Sequence, residues 1–360
     1  MKKRLPFPKW ILLLLIVLGL SFLGTLFVFE ASTAESFSTF GSQYHFLHQH
    51  LIGLGLGTLA LIIGFCVPPK LWITFGPLLY AGGILLLLLT LLPGIGLDLN
   101  GAQRWISLGG IRFQSVEFLK FGLIAYFAAW MQKHQKIGPF LFLTAIPALL
   151  IILQPDLGSL LLIGAIAISM FFLAGGSIKH FLLLGAVALP LVLVAIVTSP
   201  YRMERLTTFL NPESDPLGAS FHIRQITLAL GRGGLWGQGI GNSHQKYSYI
   251  PEASTDSIFA IIAEEVGFVG AVAIITSLLF FLYTGYRSIQ QADISDSERL
   301  LGMGILFWIG LQILLNLSAV VALIPLTGMP LPFFSYGRSA QVMILFASGI
   351  VIRLGRKVAA

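Results

Sequence analysis

The chain has 360 residues, of which 56% are hydrophobic and only 10% are charged, whereas globular domains carry roughly 25% charged residues. About 200 apolar residues, at about 20 per membrane-spanning helix, predict roughly ten spans and leave little for a soluble core. This excludes a soluble enzyme, a disordered chain and a secreted disulfide scaffold, for which the single cysteine has no partner. The net charge of +7 comes from short basic groups between apolar runs, which favours membrane topology over nucleic-acid binding.

Ten apolar runs follow one another along the chain, and we expect each to form a transmembrane helix. They lack the alternation of a membrane barrel, and every backbone group in lipid must be paired. The runs are Trp10–Phe29, Leu51–Val67, Leu71–Leu92, Glu117–Met131, Gly138–Leu153, Leu157–Ala174, His180–Val197, Ile258–Tyr286, Leu300–Leu323 and Phe334–Ile352. The first has a basic start like a signal peptide, but its apolar stretch exceeds the usual 7–15 or so residues, so we expect an uncleaved helix.

The distribution of Lys and Arg predicts the orientation. With the N-terminus inside, the inner segments hold most of the basic residues, and the short outer loops hold only Arg104 and Arg112. The positive-inside rule then places both termini in the cytoplasm, in agreement with an even number of spans. The predicted fold is therefore an all-α polytopic membrane protein, with residues 1–360 forming a single ten-helix domain.

One connection is far longer than the others: the extracytoplasmic loop Ser199–Ser257, between the seventh and eighth spans. Loops longer than about 15 residues are usually functional or disordered, and this one is not low-complexity. Its moderately amphipathic stretch Phe221–Leu230 predicts a helix on the membrane surface. The glycine-rich segment Gly231–Gly241 does not follow a strand, so we expect tight turns and close backbone approach rather than nucleotide binding.

A few ionisable residues lie in or beside spans, where charge is costly and marks function by default. At the predicted outer edge these are Glu117, Lys120, Asp156, Asp256 and Arg338, with Glu264 and Glu265 deeper. Structural roles stay open. Asp156 suits a helix N-cap, and Lys120 can pair with Glu117, three residues away, or with Asp156. For Asp256 we favour function, because Thr255 can cap that helix equally well. At least one of the two deeper carboxylates should contact polar groups between helices. The histidines show no metal-binding spacing.

Several motifs run in a fixed order through this ten-span frame. They are NGAQRWISL (Asn100–Leu108), QSVEFLK (Gln114–Lys120), QPDLG (Gln154–Gly158), PYRMERLTTFLNPESDP (Pro200–Pro216), residues 225–241, NSHQKYSYI (Asn242–Ile250), PEASTDSIFAIIAEEVGFVG (Pro251–Gly270) and LTGMPLPFFSYGRS (Leu326–Ser339). Over most of its length the sequence thus resembles the SEDS family (shape, elongation, division and sporulation), the FtsW/RodA/SpoVE proteins. The fourth and sixth motifs resemble the FtsW/SpoVE division branch more than RodA.

The resemblance implies a peptidoglycan glycosyltransferase that polymerises lipid II at the outer face of the bacterial cytoplasmic membrane, for cell division or shape. It implies a class B penicillin-binding protein as the partner that cross-links the glycan. It places the family's essential acid on Asp256. The substrate-binding residues predicted beside it are Arg104, Trp105, Glu117, Lys120, Asp156, Arg202, Glu252 and Ser335.

Four positions depart from the family's pattern. Ser254 stands where the family has a histidine before Thr-Asp, and Ser257 where it has an aromatic residue after the acid. Ser115 replaces a proline, and Arg338 replaces a glycine. The acid itself stays in place, but these changes bear on the geometry around the substrate.

The implied chemistry needs a base and positive charge. Asp256 would deprotonate the 4-hydroxyl of the acceptor GlcNAc, and attack on the anomeric carbon of MurNAc would invert it and release undecaprenyl diphosphate. Arg104, Lys120 and either Arg338 or Arg202 would neutralise the diphosphate, as would a divalent cation (Mg or Mn) held by carboxylates. No organic cofactor is expected.

Two other classes of protein stay open. One is a transporter of the lipid-linked precursor, since such proteins also carry intramembrane charges and broken helices. The absence of an apparent inverted repeat, and charges gathered at one face, count against it. The other is a non-catalytic membrane scaffold for a transpeptidase, which the departures around Asp256 favour.

Overall fold

The computed structural model describes residues 8–99, 102–108, 111–133, 136–211, 220–245 and 254–357. The helices of this part are α1 (Lys9–Phe40), α2 (His45–Cys66), α3 (Pro69–Thr74), α4 (Gly76–Thr90), α5 (Ser115–Trp130), α6 (Ile137–Leu153), α7 (Leu157–Leu173), α8 (Ile178–Val197), α9 (Pro200–Leu210), α10 (Phe221–Gly233), α11 (Ile258–Gln290), α12 (Asp296–Val320) and α13 (Arg338–Arg356). The strands are β1 (Gly96–Leu99), β2 (Ala102–Leu108) and β3 (Ile111–Gln114).

Each predicted apolar run falls on helical structure. Among the described helices, α1, α2, α11, α12 and α13 are long and apolar enough to cross a membrane, while α4, α6, α7 and the first part of α8 are shorter apolar helices. The third run divides into α3 and α4 at Phe75, because Pro77 lacks a backbone N–H and favours the start of a new helix. The chain is a mostly helical, multi-pass membrane protein, and the count of ten spans stays a prediction.

A three-stranded antiparallel sheet joins α4 to α5, which the all-α prediction did not include. The central strand β2 pairs with both neighbours and places Trp105, which is half-buried, opposite Leu97 and Gln114. Aromatic and β-branched residues such as Trp105 and Ile106 favour strands, and the segment is too short and polar to span the bilayer. The sheet carries Arg104 to the beginning of α7, where its guanidinium donates to the carbonyl of Pro155 at 2.9 Å.

Small residues let α2 and α13 approach closely. A side chain at Gly64 would begin 2.3 Å from the carbonyl oxygen of Phe346, and one at Gly349 would begin 2.2 Å from that of Leu61. Lipid provides no hydrophobic drive for helices to associate, so close van der Waals packing between small residues supplies it instead. These glycines fix the position of α13 and of the loop that precedes it.

The glycine-rich segment pairs with a break inside α11. Gly267 has a left-handed φ of 70° in the middle of that helix, so the predicted eighth span is interrupted. The break leaves backbone groups of α11 without partners inside the helix, and the glycine-rich segment supplies these partners. The Phe268 amide donates to the Gly234 carbonyl at 2.9 Å, and the Gln238 amide donates to the Glu264 carbonyl at 3.0 Å. A side chain at Gly237 would begin 2.1 Å from a carbonyl oxygen of α11. The predicted close backbone approach is confirmed.

The long connection contains two helices, of which only the second was predicted. α10 covers the amphipathic stretch and buries Ile223, Ile226 and Ala229 against α11 while Arg224 stays exposed. The spacing of three residues places the buried set on one face, so the predicted helix is confirmed. Its position on the membrane surface stays a prediction. α9 begins at Pro200, whose fixed φ suits the first position of a helix.

The two ends of the described chain meet at one end of the bundle. The guanidinium of Arg356, in the last turn of α13, lies 5.8 Å from the ring centroid of Trp10 near the start of α1. The Lys357 ammonium forms a 2.8 Å ion pair with Glu298, which itself belongs to the capping box of α12. Both ends therefore lie on one side of the bundle, as the predicted topology requires.

Candidate active site

Asp256 lies just before α11 and is 9% exposed. Its backbone carbonyl accepts a hydrogen bond from the Asn316 side-chain amide at 2.7 Å. Its carboxylate oxygen Oδ1 lies 3.4 Å from the hydroxyls of both Thr255 and Ser257, which donate to it. Donors of this kind favour the charged form of a carboxylate. The N-cap of α11 is Ser257, whose side chain makes no capping hydrogen bond, so Asp256 lies one residue before the capping position.

The loop between α12 and α13 brings a guanidinium from α9 towards this carboxylate. Arg205 donates from Nη1 to the carbonyl of Leu326 at 2.8 Å. A side chain at Gly328 would begin 3.9 Å from Arg205 Nη1 and 3.9 Å from Asp256 Oδ2. The cation and the acid thus face the same point of the loop. The sequence analysis did not single out Arg205, which lies in a charged surface helix with no local signal of its role.

Two amide side chains one helical turn apart on α12 hold this loop in place. Asn316 donates to the carbonyl of Met329 at 2.7 Å as well as to that of Asp256, and Gln312 donates to the carbonyl of Pro330 at 3.0 Å. Residues four apart share one helical face. Neither residue is ionisable, so neither was among the candidates predicted from the sequence. The signal was present, since polar amides within apolar spans commonly bond to neighbouring segments.

Removing the Asn316 amide should loosen both segments at once. Asn316→Ala leaves two buried carbonyls without this donor, and an unsatisfied buried group costs about 1–3 kcal/mol. We expect the thermal midpoint of the purified protein to fall. Ser318→Ala, on the same helix but half-buried, is the matched control. Unchanged values for Asn316→Ala would remove the loop-anchoring role.

Glu117 and Lys120 form an ion pair deep between α5 and α12. Lys120 Nζ lies 2.7 Å from Glu117, 3.0 Å from the Gln312 side-chain oxygen and 4.9 Å from the ring centroid of Trp308. Within the described part of the chain, Lys120 therefore pairs with Glu117 and not with Asp156. Of the two ion pairs predicted as alternatives for Lys120, the structure contains the one with Glu117. A role for either residue in binding substrate stays a prediction.

Asp156 is the N-cap of α7 and also pairs with a cation. Its carboxylate accepts from the amide and the hydroxyl of Ser159, at 3.0 and 2.8 Å, so the capping prediction is confirmed. Arg104 Nε lies 3.5 Å from the same carboxylate. Arg202, on α9, donates to a carbonyl at the end of α6 at 3.3 Å. Burial lowers its pKa, while the charge of Asp156 raises it. Two guanidiniums around one carboxylate leave an excess positive charge here.

Two further predicted residues, Ser335 and Arg338, bond to groups other than Asp256. The Ser335 hydroxyl accepts from the Leu331 amide at 2.7 Å and closes a turn in the loop before α13. Arg338 donates to the Gln49 side chain of α2 at 3.0 Å. Glu252 lies outside the described residues.

The deeper carboxylates serve the long connection. Glu264 accepts from the hydroxyl of Ser243 and from the backbone amide of His244 at 3.3 Å. Both Glu264 and Glu265 are buried. The prediction that at least one of them contacts polar groups is confirmed.

The carboxylates do not form a recognisable metal centre within the described residues. No three Asp, Glu, His or Cys side chains of that part converge on a common point. Asp156 is engaged by Ser159 and Arg104, and Asp256 is approached by hydroxyl groups. These residues therefore do not fit a cation site by themselves, and we assign no step to a metal ion.

The chain is similar to known proteins over almost its whole length. A family model described as "Cell cycle protein", for FtsW, RodA and SpoVE, matches residues 11–359. A probable peptidoglycan glycosyltransferase FtsW of Coxiella burnetii is 39% identical and covers 97% of this chain and 96% of its own. Stage V sporulation protein E of Bacillus subtilis is 36% identical, with 96% of each chain covered.

Two solved structures share the fold. One belongs to a peptidoglycan synthase complex, described as coordinating polymerization and crosslinking; it is 27% identical, with a TM-score of 0.77 and 96% of each chain covered. The other is the crystal structure of the rod shape determining protein RodA of Thermus thermophilus, at 27% identity, a TM-score of 0.70 and 97% of each chain covered.

Proposed function

The chain belongs to the FtsW/RodA/SpoVE family and is a peptidoglycan glycosyltransferase, and we propose that it polymerises lipid II with Asp256 as the general base. The observation that carries this proposal is the placement of Asp256. It is a largely buried carboxylate at the start of a membrane helix, approached by hydroxyl donors and facing the guanidinium of Arg205 across Gly328.

In the proposed reaction Asp256 takes the proton of the acceptor 4-hydroxyl. That oxygen attacks the anomeric carbon of the donor MurNAc, a new glycosidic bond forms with inversion, and the bond to the diphosphate breaks. The bonding electron pair leaves with undecaprenyl diphosphate. A base of this kind must lie within hydrogen-bond reach of the hydroxyl and be ionised before the step, and the hydroxyl donors on Asp256 favour its ionised form.

Guanidiniums from two segments, β2 and α9, supply the positive charge that the leaving group needs. Arg205 faces the base across Gly328, while Arg104 and Arg202 form the cluster around Asp156. Arginine is suited to diphosphate because its planar fork can donate two hydrogen bonds to phosphate oxygens. We assign Arg205 to the reacting diphosphate. We place the cluster around Asp156 at the same outer edge of the bundle.

We further propose that this end of the bundle faces the outside of the bacterial cytoplasmic membrane, with both termini in the cytoplasm. The basic residues concentrated at the opposite end support this orientation. A class B penicillin-binding protein is the proposed partner. The similarity to a subunit of a complex described as coordinating polymerization and crosslinking supports that assignment.

The test is polymerisation by purified protein. The full chain in liposomes is given lipid II, with and without a class B penicillin-binding protein, and glycan polymer and undecaprenyl diphosphate are measured. We expect polymer, and more of it with the partner. Translocation of lipid II without polymer would instead indicate a transporter. Binding of the transpeptidase with neither activity would indicate a scaffold.

A further inference from the structure

An imidazole on the long connection reaches Asp256 through one hydroxyl group. His222 Nε2, in the first turn of α10, lies 2.8 Å from Ser257 Oγ, and Ser257 Oγ lies 3.4 Å from Asp256 Oδ1. We propose that His222 is a positioning residue that holds the Ser257 hydroxyl as a donor to Asp256. The inference rests on the function proposed above for Asp256 and adds a residue to it.

The Ser257 hydroxyl is withdrawn from the role its position predicts. A serine at an N-cap normally accepts from a backbone amide of the first helical turn, yet no side chain caps α11 at Ser257. The side chain is fully buried and points to His222 and Asp256 instead. A helix start that lacks the stabilising hydrogen bond of its N-cap serine indicates that the hydroxyl is used elsewhere.

The number of available hydrogen atoms sets the direction of the hydrogen bonds from His222 through Ser257 to Asp256. A hydroxyl has one hydrogen, and when Ser257 donates it to the ionised Asp256, its oxygen can only accept from His222. The ring must then carry its proton on Nε2. Burial, and secondarily the charge of Arg205, lowers the pKa of His222 to about 4, so the imidazole is neutral at pH 7 and has one ring N–H to give.

The charged groups around His222 favour this donor role over proton storage. The charge of Arg205, on α9, opposes a second proton on the ring. Asp256 lies beyond Ser257 and is the acid at the other end of this series of hydrogen bonds. The hydroxyl of Thr255 is the other donor to Asp256 Oδ1. A ring that resists protonation cannot carry away the proton that Asp256 accepts. It can hold a hydroxyl in one orientation and so favour the ionised, correctly turned carboxylate.

Two departures from the family's pattern fit this arrangement. The histidine usual before Thr-Asp is Ser254 here, and the usual aromatic residue after the acid is Ser257. An aromatic side chain at Ser257 would occupy the space between His222 and Asp256. The small serine opens that space, and an imidazole enters it from α10.

The test compares two amides at one position. The Gln side chain of His222→Gln carries an N–H donor about as far as Nε2, whereas that of His222→Asn is one methylene shorter. Polymerisation of lipid II is measured from acid to neutral pH for both, for Ser257→Ala and for the double variant His222→Asn/Ser257→Ala. His244→Ala, an exposed histidine of the same connection, is the control. Thermal midpoints report folding.

We expect His222→Asn and Ser257→Ala to lose about tenfold in rate, with the acid limb of the pH profile moved to higher pH, because the ionised carboxylate loses a hydrogen-bond donor. His222→Gln should restore both, and the double variant should be no worse than either single change. An unmoved acid limb, or equal impairment of the Gln and Asn variants, overturns the inference. Failure of the unmutated protein to polymerise would overturn the proposed function itself.

Discussion

Asp256→Asn is expected to abolish glycan polymerisation, because the amide keeps the shape of the side chain but cannot take the proton of the acceptor hydroxyl. General base catalysis contributes about 10²–10⁴-fold to a rate, so the residual rate should be at least about a hundredfold lower. The rate of polymer formation from lipid II, measured with the full chain in liposomes, is the readout.

The matched control is Asp296→Asn. That aspartate is also at a helix start, in the first turn of α12, but it is exposed and lies at the opposite end of the helices from Asp256. We expect wild-type polymerisation from it and comparable thermal midpoints for both variants, since Asp256 caps no helix. An active Asp256→Asn protein would remove Asp256 from the mechanism, and an inactive, unfolded one would be tested again as Asp256→Ala.

The acid was predictable from the sequence, but most of its surroundings were not. Asp256 is a charge at the edge of an apolar run, and the cost of burying charge makes such a position conspicuous. Asn316, Arg205 and His222 approach it from other helices, tens of residues away along the chain. Such contacts depend on how helices pack, and no local spacing encodes them. Asp156 was the easier case, because its N-cap is a local feature of four consecutive residues.

The fold, like the site, was predictable only in part. Long apolar runs predicted the helices well, since hydropathy over about 20 residues is the dominant signal in a membrane chain. The sheet between α4 and α5 was missed because its strands are short, and short strands have little periodicity to detect. The break at Gly267 was missed because the residues that follow it, from Phe268 to Ile275, are almost all apolar. The hydropathy therefore stays high beyond a position where the helical backbone is interrupted.

The ion pair between Glu117 and Lys120 connects the buried interior of the bundle to the loop that faces Asp256. Lys120 bonds to Gln312, whose own amide holds the carbonyl of Pro330 in the loop that faces Asp256. The carboxylate and the ammonium are both almost fully buried. Removing one partner of such a pair leaves an uncompensated charge, whereas removing both does not. The single and double variants therefore separate the stability of this network from any contact with substrate.

Lys120→Met is expected to lower the free energy of unfolding by about 3–5 kcal/mol, the usual cost of an unpaired buried charge. Glu117→Gln/Lys120→Met should recover most of that loss, and Lys70→Met, at an exposed lysine, should cost nothing. Thermal unfolding of the purified variants measures this, and a double variant no more stable than Lys120→Met would contradict the pairing argument. Lys120 is only 2% exposed, so a purely structural pair predicts that the double variant polymerises lipid II. A stable but inactive double variant would show that the buried pair acts on the diphosphate as well.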